Sequence, residues 1–211
     1  MKNKFEGQNI SLLAEPLRLF SEGDPTLRLN RLIQKLHKTE VFFDENSSAS
    51  VTHRENNLNT VRIGAQPYSD ELVKRWNMGT VSPEEQRFVK LAHELAHAFQ
   101  TEKGYEKSLV DFLNGENNIP DSMIPYIELY ALLSGIGPVN PLSVESIYKE
   151  QSKRSGHLKM ETLEDITELI SAYIISDDYF LARLENSMMT LSDEQKELVA
   201  KKVIEVCRDL H

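Results

Sequence analysis

The chain contains 211 residues, of which 40% are hydrophobic and 27% are charged, and these values are ordinary for a globular protein with a core of its own. Its 33 acidic residues against 24 basic ones give a net charge of −9. That charge argues against general binding to nucleic acid or to an anionic membrane, since both need a basic surface. The single cysteine, Cys207, excludes an intrachain disulfide and a zinc site built from cysteines. We expect one domain over residues 26–211, preceded by a flexible segment over residues 1–25.

The N-terminal stretch ISLLAEPLRLF is apolar in part but predicts no cleavable signal peptide. Glu15, Pro16 and Arg18 interrupt it before a hydrophobic region forms. No run approaches the roughly 20 apolar residues of a membrane span. We therefore expect a soluble protein that works in a reducing, cytoplasmic environment. Delivery by a bacterial injection system is compatible with this, because such systems read uncleaved terminal signals.

Three strand candidates follow a short helical pattern over residues 32–36. The segments EVFFDEN and VTHRENN have strand character, and the turn-forming residues NSSAS lie between them. In NTVRIGAQP, Val61 and Ile63 alternate with polar neighbours, and Gly64 and Pro67 end the strand. We expect this third strand to lie beside the long helix that comes next and to pair with an extended substrate.

The strongest helix prediction is VSPEEQRFVKLAHELAHAFQTEKG, residues 81–104. Ser82 is a favourable N-cap, Pro83 suits the first helical position, and Glu85 completes a capping box. Gly104 fits the C-terminal stop. This segment therefore predicts a long, well-capped helix.

Helical patterns dominate the remainder of the chain. The polar segment NGENNIPDS predicts a loop, and MIPYIELYALLSG predicts a helix that ends at Gly135. The segment SVESIYKEQSKRSGH is helical in part, and TLEDITELISAYIISDDYFLARLENSM is helical throughout. The last helix, SDEQKELVAKKVIEVCRDL, has its own capping box at Ser192 and Gln195. A few strands followed by a long helix and further helices indicate the α+β class.

The long helix contains the segment HELAH, which has the spacing of a zinc-hydrolase motif. His93 and His97 are four residues apart and share one helical face, so both imidazoles can bind one metal ion. Glu94 follows His93 directly and can act on a water that the metal activates, first as general base and then as general acid. Chance occurrence on an amphipathic helix is the alternative. The position of the motif in the middle of a capped helix favours a Zn²⁺ site.

A catalytic zinc site usually has a third protein ligand. One class of such enzymes uses a third histidine shortly after the motif, but Gln100 and Lys103 occupy those positions here. Glu128 is the only acid between Asp121 and Glu145, and it lies in an otherwise apolar helix, where an unpaired carboxylate would be costly. We therefore predict Glu128 as the third metal ligand.

Two further acids are rivals for the same role. They are Glu164 and Glu168 in LEDITELISAY, and Glu168 precedes an apolar helical run. A solvated helix face is their alternative interpretation, as an exposed edge is for Glu128.

The segment LAHELAHAFQTEKG, followed some thirty residues later by IELYALLSGIG, resembles the NleD-type bacterial effector zinc metalloproteases and, more distantly, the clostridial neurotoxin light chains. The resemblance covers roughly residues 55–160. It implies a zincin-like metalloprotease domain with a small mixed sheet, a long active-site helix and a helical C-terminal part. It also implies gluzincin-like zinc ligands, with Glu128 as the third.

In that family an Arg-x-x-Tyr pair lies further along the chain. Arg154 matches the arginine, while His157 stands where the family has tyrosine. The resemblance implies that these two residues stabilise the oxyanion of the tetrahedral intermediate, with a surface loop as the alternative. Glu145 and Glu150 are candidates for a carboxylate that orients a ligand histidine.

The resemblance further implies a monomeric virulence-type endopeptidase, secreted into the host cytosol, whose partners are protein substrates such as host signalling kinases. Two alternatives remain. One is an intracellular regulatory zinc protease that degrades a repressor, with a third ligand at Glu168. The other is a non-catalytic module that binds a partner through the C-terminal helices KELVAKKVIEVCRDL.

Overall fold

The structure is a computed structural model that describes residues 26–36, 38–47, 50–55, 58–67, 82–116, 118–135, 160–187 and 191–210. The strands are β1 (Lys38–Asp44), β2 (Val51–Glu55) and β3 (Leu58–Gly64). The helices are α1 (Thr26–Lys35), α2 (Pro83–Lys103), α3 (Tyr105–Leu113), α4 (Ile124–Ser134), α5 (Met160–Ile175), α6 (Asp177–Ser187) and α7 (Asp193–Val206). Two short 3₁₀ turns cover Asp121–Met123 and Arg208–Leu210. The predicted α+β class is confirmed, and the predicted N-terminal segment 1–25 lies outside the described residues.

The three described strands form one small mixed sheet in the order β1-β3-β2. The central strand β3 pairs with β1 in parallel and with β2 in antiparallel orientation. Val61 and Ile63 of β3 are fully buried, as their alternation with polar residues predicts. This face of the sheet joins the hydrophobic core to which α2 contributes Phe88, Leu95 and Phe99.

The prediction that residues 60–64 pair with a substrate is wrong for the described sheet. β3 has a strand on each side, so its backbone groups are already used by β1 and β2. The strand β3 does lie beside the long helix as predicted, since Gly64 accepts from Lys90, but among the described strands it is β2 that lies at an edge, and β2 also contacts the long helix, through Thr52. An extended peptide could therefore add to β2 rather than to β3.

Helix α2 begins after Ser82, whose carbonyl accepts from the amide of Gln86 at 2.9 Å, and its predicted extent is confirmed. The side chain of Glu85, the predicted second member of the capping box, lies outside the described residues. Gly104 has φ 72, a left-handed conformation that favours glycine, and it ends the helix as predicted. The chain turns there directly into α3, which buries Tyr105 and two residues further along.

Two cationic side chains attach α2 to the last residue of β3 and to the two residues after it. The ammonium of Lys90 donates to the carbonyls of Gly64 at 3.1 Å and Gln66 at 2.7 Å, and the guanidinium of Arg87 donates to Ala65 at 3.1 Å. Burial lowers the pKa of Lys90 to about 8, and the nearby charge of Arg87 adds to the effect. These contacts fix the helix that carries HELAH against the end of the sheet.

A buried polar bridge holds α4 and α5 against the second half of α2. The side-chain amide of Gln100 donates to the hydroxyl of Thr167 at 2.8 Å, and the hydroxyl of Tyr126 donates to the Gln100 oxygen at 2.7 Å. Thr167 lies in the middle of α5. The bridge therefore sets which residues of α5 face the histidines on α2.

The helical C-terminal part differs from its prediction in one respect. The segment predicted as one helix is two, because α5 ends before Ser176 and α6 begins after it. The hydroxyl of Ser176 accepts from the amide of Tyr179 at 3.1 Å and so caps α6. The capping box of α7 at Ser192 and Gln195 is confirmed. No helix within the described ranges is long and apolar enough to cross a lipid bilayer.

Candidate metal centre

Helix α2 aims His93 and His97 at one point, as their spacing predicts. Their Nε2 atoms are 3.1 Å apart, and the two rings are edge to face with centroids 4.7 Å apart. The side chains are 12% and 24% exposed, so the point they share is close to solvent. The arrangement leaves two nitrogen ligands facing an accessible position.

The third member of the group is Glu164 on α5. Its Oε2 lies 3.4 Å from Nε2 of His93 and 3.5 Å from Nε2 of His97. The three atoms thus form a triangle with sides of 3.1, 3.4 and 3.5 Å. Ligands placed tetrahedrally at the usual zinc distances of about 2.0–2.1 Å are about 3.3 Å from one another. The three residues therefore fit a zinc ion, and two histidines with one carboxylate are a known ligand set of catalytic zinc.

Glu128, the predicted third ligand, is not brought to the histidines. Its carboxylate is buried and lies 2.6 Å from the ammonium of Lys202 on α7. Lys202 also contacts Glu205, at 2.8 Å. The apolar surroundings of Glu128 do require a partner, but the structure supplies a lysine. Glu164 is the carboxylate that lies beside the two histidines, where the sequence predicts Glu128.

Glu168 contacts the opposite side of His93. Its Oε1 lies 2.9 Å from Nδ1 of His93, and its Oε2 lies 2.9 Å from Nη2 of Arg183 on α6. Burial works to raise the pKa of Glu168, but His93 and Arg183 outweigh it and hold the pKa below its ordinary value. Glu168 therefore forms a close ion pair, without a hydrogen bond, with the His93 nitrogen that is turned away from Glu164.

The catalytic candidate Glu94 is held from the sheet side of α2. It is 5% exposed, and its Oε2 accepts from the hydroxyl of Thr52 at 2.7 Å. The same hydroxyl lies 2.8 Å from the backbone oxygen of Glu94. The Glu94 carboxylate is thus held by a hydrogen bond to the edge strand β2.

The two carboxylates around His93 change its protonation. Burial alone would lower the pKa of His93, but the contacts with Glu164 and Glu168 outweigh it and raise the pKa to about 10. The contacts with His93 and His97 hold the pKa of Glu164 well below its ordinary value. His93 therefore keeps its second proton to higher pH than an ordinary histidine does.

A pH dependence of stability is expected for the metal-free protein. A pKa raised from 6.5 to about 10 means that His93 stabilises the fold fully below pH 6.5 and that this contribution is lost as the pH rises through about 10. The lowered pKa of Lys90 makes the folded protein more stable as the pH rises, but only above about pH 8.

Between pH 6.5 and 8 the thermal midpoint should therefore fall by roughly 5 °C. Thermal denaturation after chelator treatment measures this. A zinc-loaded sample and metal-free His93→Gln should lack the fall, and its persistence in His93→Gln would show that another group causes it.

Four predicted residues lie outside the described part of the chain. They are the oxyanion candidates Arg154 and His157 and the carboxylates Glu145 and Glu150. Within the described part, Glu168 is the carboxylate that lies against Nδ1 of His93, and the prediction for Glu145 and Glu150 stays a prediction. The i+4 spacing of Glu168 from Glu164 was the sequence signal, because residues four apart on a helix can approach one imidazole together.

The candidate metal centre is thus made of side chains from α2 and α5. Two imidazoles and one half-exposed carboxylate form the triangle, Glu168 contacts His93 from behind, and Glu94 is the residue after His93 on α2. No protein-family model, no curated protein and no solved structure matches this chain.

Proposed function

We propose that this protein is a zinc-dependent endopeptidase with a zincin-like domain. His93, His97 and Glu164 would hold the metal, and Glu94 would be the general base and acid. The observation that carries the proposal is the triangle formed by the Nε2 atoms of the histidines and Oε2 of Glu164, because its sides match the ligand spacing of tetrahedral zinc. The adjacent carboxylate of Glu94 completes the set that peptide hydrolysis needs.

The metal and the surrounding residues would have separate roles in peptide hydrolysis. Zinc, when bound, would polarise the scissile carbonyl and lower the pKa of water. Glu94 takes a proton from the attacking water and passes it to the leaving amine. Thr52 holds the Glu94 carboxylate, which avoids reorientation during these transfers. The half-exposed side chain of Glu164 keeps the centre open to solvent, so a protein segment can reach it.

The edge strand β2 offers a way to bind such a segment. It contacts α2 directly through Thr52, next to the catalytic candidate Glu94. An extended peptide added to its outer edge would run past the metal centre and gain main-chain hydrogen bonds. This mode suits endopeptidase cleavage within a chain, since recognition would not need a free terminus.

The position of the third carboxylate bears on the biological role. The resemblance to effector metalloproteases implies Glu128 as a ligand, and Glu128 is paired with Lys202. The regulatory-protease alternative implies Glu168, which lies against Nδ1 of His93 and outside the triangle. The third carboxylate therefore favours neither family over the other. Secretion with cleavage of a host signalling protein, and regulation within the protein's own cell, both rest on sequence resemblance alone.

The test is metal content together with proteolysis of the wild-type protein. Protein purified without chelator is analysed for zinc and iron, and its activity is measured on casein and on a mixed peptide library. One zinc per chain, cleavage that chelator abolishes and zinc restores, and no iron are expected. Stoichiometric iron would contradict the zinc assignment, because two histidines and a carboxylate also bind iron in oxygenases. A chain that binds no metal after zinc is offered would favour the interaction module.

A further inference from the structure

Helix α5 carries two carboxylates one turn apart, and they contact the two nitrogens of the same imidazole. Glu164 lies 3.4 Å from Nε2 of His93, whereas Glu168 lies 2.9 Å from Nδ1. The side chain of Glu164 is 53% exposed and that of Glu168 is 12% exposed. The two acids are chemically identical, so their position on α5 and their neighbours decide which one is available as a metal ligand.

Arg183 is the group that distinguishes them. It lies on α6, is only 5% exposed, and its Nη2 is 2.9 Å from Oε2 of Glu168. The break at Ser176 turns α6 back along α5, which brings Arg183 to a residue fifteen positions earlier. A buried guanidinium needs a carboxylate, and the structure pairs it with Glu168.

We propose that Arg183 is a positioning residue for the metal centre: it holds Glu168 on Nδ1 of His93 and leaves Glu164 as the carboxylate that binds metal. The proposal rests on the proposed function, since it concerns the same centre. Each oxygen of Glu168 contacts one partner: Oε2 contacts Arg183 and Oε1 contacts His93. With Nδ1 facing Glu168, Nε2 of His93 points to the same place as Nε2 of His97.

Because residue 168 contacts two neighbours, its side chain must offer an acceptor oxygen to each of them. A carboxylate has an acceptor oxygen for each neighbour, whereas an amide has one oxygen and one donor group. Glu168→Gln can therefore satisfy either His93 or Arg183 but not both. If Arg183 is removed as well, the amide oxygen is free to accept from Nδ1 of His93. The two substitutions should thus compensate each other instead of adding.

The experiment measures zinc affinity by competition with a chromogenic chelator, so it needs no substrate. Arg183→Met and Glu168→Gln are each expected to weaken zinc binding about 10- to 100-fold. The double variant should be no weaker than the weaker single variant. Arg183→Lys, which retains a cation for the single contact with Glu168, should bind within about threefold of wild type. Circular dichroism and the metal-free thermal midpoint show whether each variant is folded.

Arg28→Met is the matched control. Arg28 lies on α1 and contacts both α5 and α6, since its guanidinium donates to the carbonyl of Tyr173 at 2.8 Å and to Asp177 at 2.7 Å. This variant loses a similar inter-helix contact away from Glu168, and it should bind zinc as wild type does.

Several results would overturn the inference. Wild-type affinity in Arg183→Met would do so, as would equal losses in Arg183→Met and Arg28→Met or losses that multiply in the double variant. If Arg183→Met does not fold, wild-type affinity in Glu168→Gln has the same meaning. In all these cases the wild-type protein still binds zinc, so the proposed function stands. A wild-type protein that binds no zinc would instead overturn both.

Discussion

Glu164→Ala is expected to weaken zinc binding by at least about 100-fold, while Glu128→Ala leaves the affinity within about threefold of wild type. Glu164 supplies one corner of the ligand triangle, and the loss of a direct ligand should exceed the 10- to 100-fold cost of losing an orienting partner. Glu128 instead neutralises Lys202. Its removal should lower stability by about 1–3 kcal/mol without changing the metal centre.

Chelator competition and thermal denaturation of the two variants measure these effects. Glu161→Ala is the control for Glu164→Ala, because Glu161 is an exposed acid one turn earlier on the same helix. It should change neither zinc affinity nor stability appreciably. In the opposite outcome Glu128→Ala loses zinc and Glu164→Ala retains it. That result would support the ligand set of the effector metalloproteases and would contradict the triangle as the metal centre.

Glu128 and Glu164 show which part of the site is predictable from sequence. The pair His93 and His97 follows from local geometry, because an i,i+4 spacing on a helix fixes the direction of both side chains. The third acid depends on tertiary packing. Glu128 does need a partner in its apolar surroundings, but that partner is Lys202, from a helix much later in the chain. Burial cost alone does not distinguish a metal from an ammonium.

The sheet shows the same division between local and non-local information. Alternating residues identify Val61 and Ile63 as buried, and the structure confirms this. Alternation does not determine which strands are neighbours, however, and the order β1-β3-β2 encloses the strand that was expected to meet substrate. Only the tertiary contact between Thr52 and Glu94 shows that β2 lies beside the site.

One missed element did have a sequence signal. Tyr105, Leu109 and Phe112 have the i, i+4, i+7 spacing of an amphipathic helix, and all three are buried in α3. Gly104 ends α2 as predicted but does not begin a loop, because its left-handed conformation turns the chain into the next helix. A helix stop therefore specifies a change of direction and leaves the type of the next element open.

Glu94→Gln is expected to reduce kcat by about 10²- to 10⁴-fold while zinc content remains at the wild-type level. The amide cannot take a proton from water, but its oxygen can still accept from the hydroxyl of Thr52, so the fold around the site should persist. Cleavage of casein or of a mixed peptide library gives the activity, and elemental analysis gives the zinc content. Glu102→Gln is the matched control on the same helix, because its amide oxygen can still accept from Asn59 and it should retain wild-type activity.

The combination of the two readouts assigns the role of Glu94. Lost activity with retained zinc means that the carboxylate moves protons, since the metal and its ligands are then intact. Lost zinc would mean that Glu94 supports the ligand geometry instead, because it follows His93 directly on α2. Normal cleavage by Glu94→Gln would eliminate it as general base. The fixed carboxylate beside β2 would then be a structural contact between sheet and helix, and the proton transfers would belong to another residue.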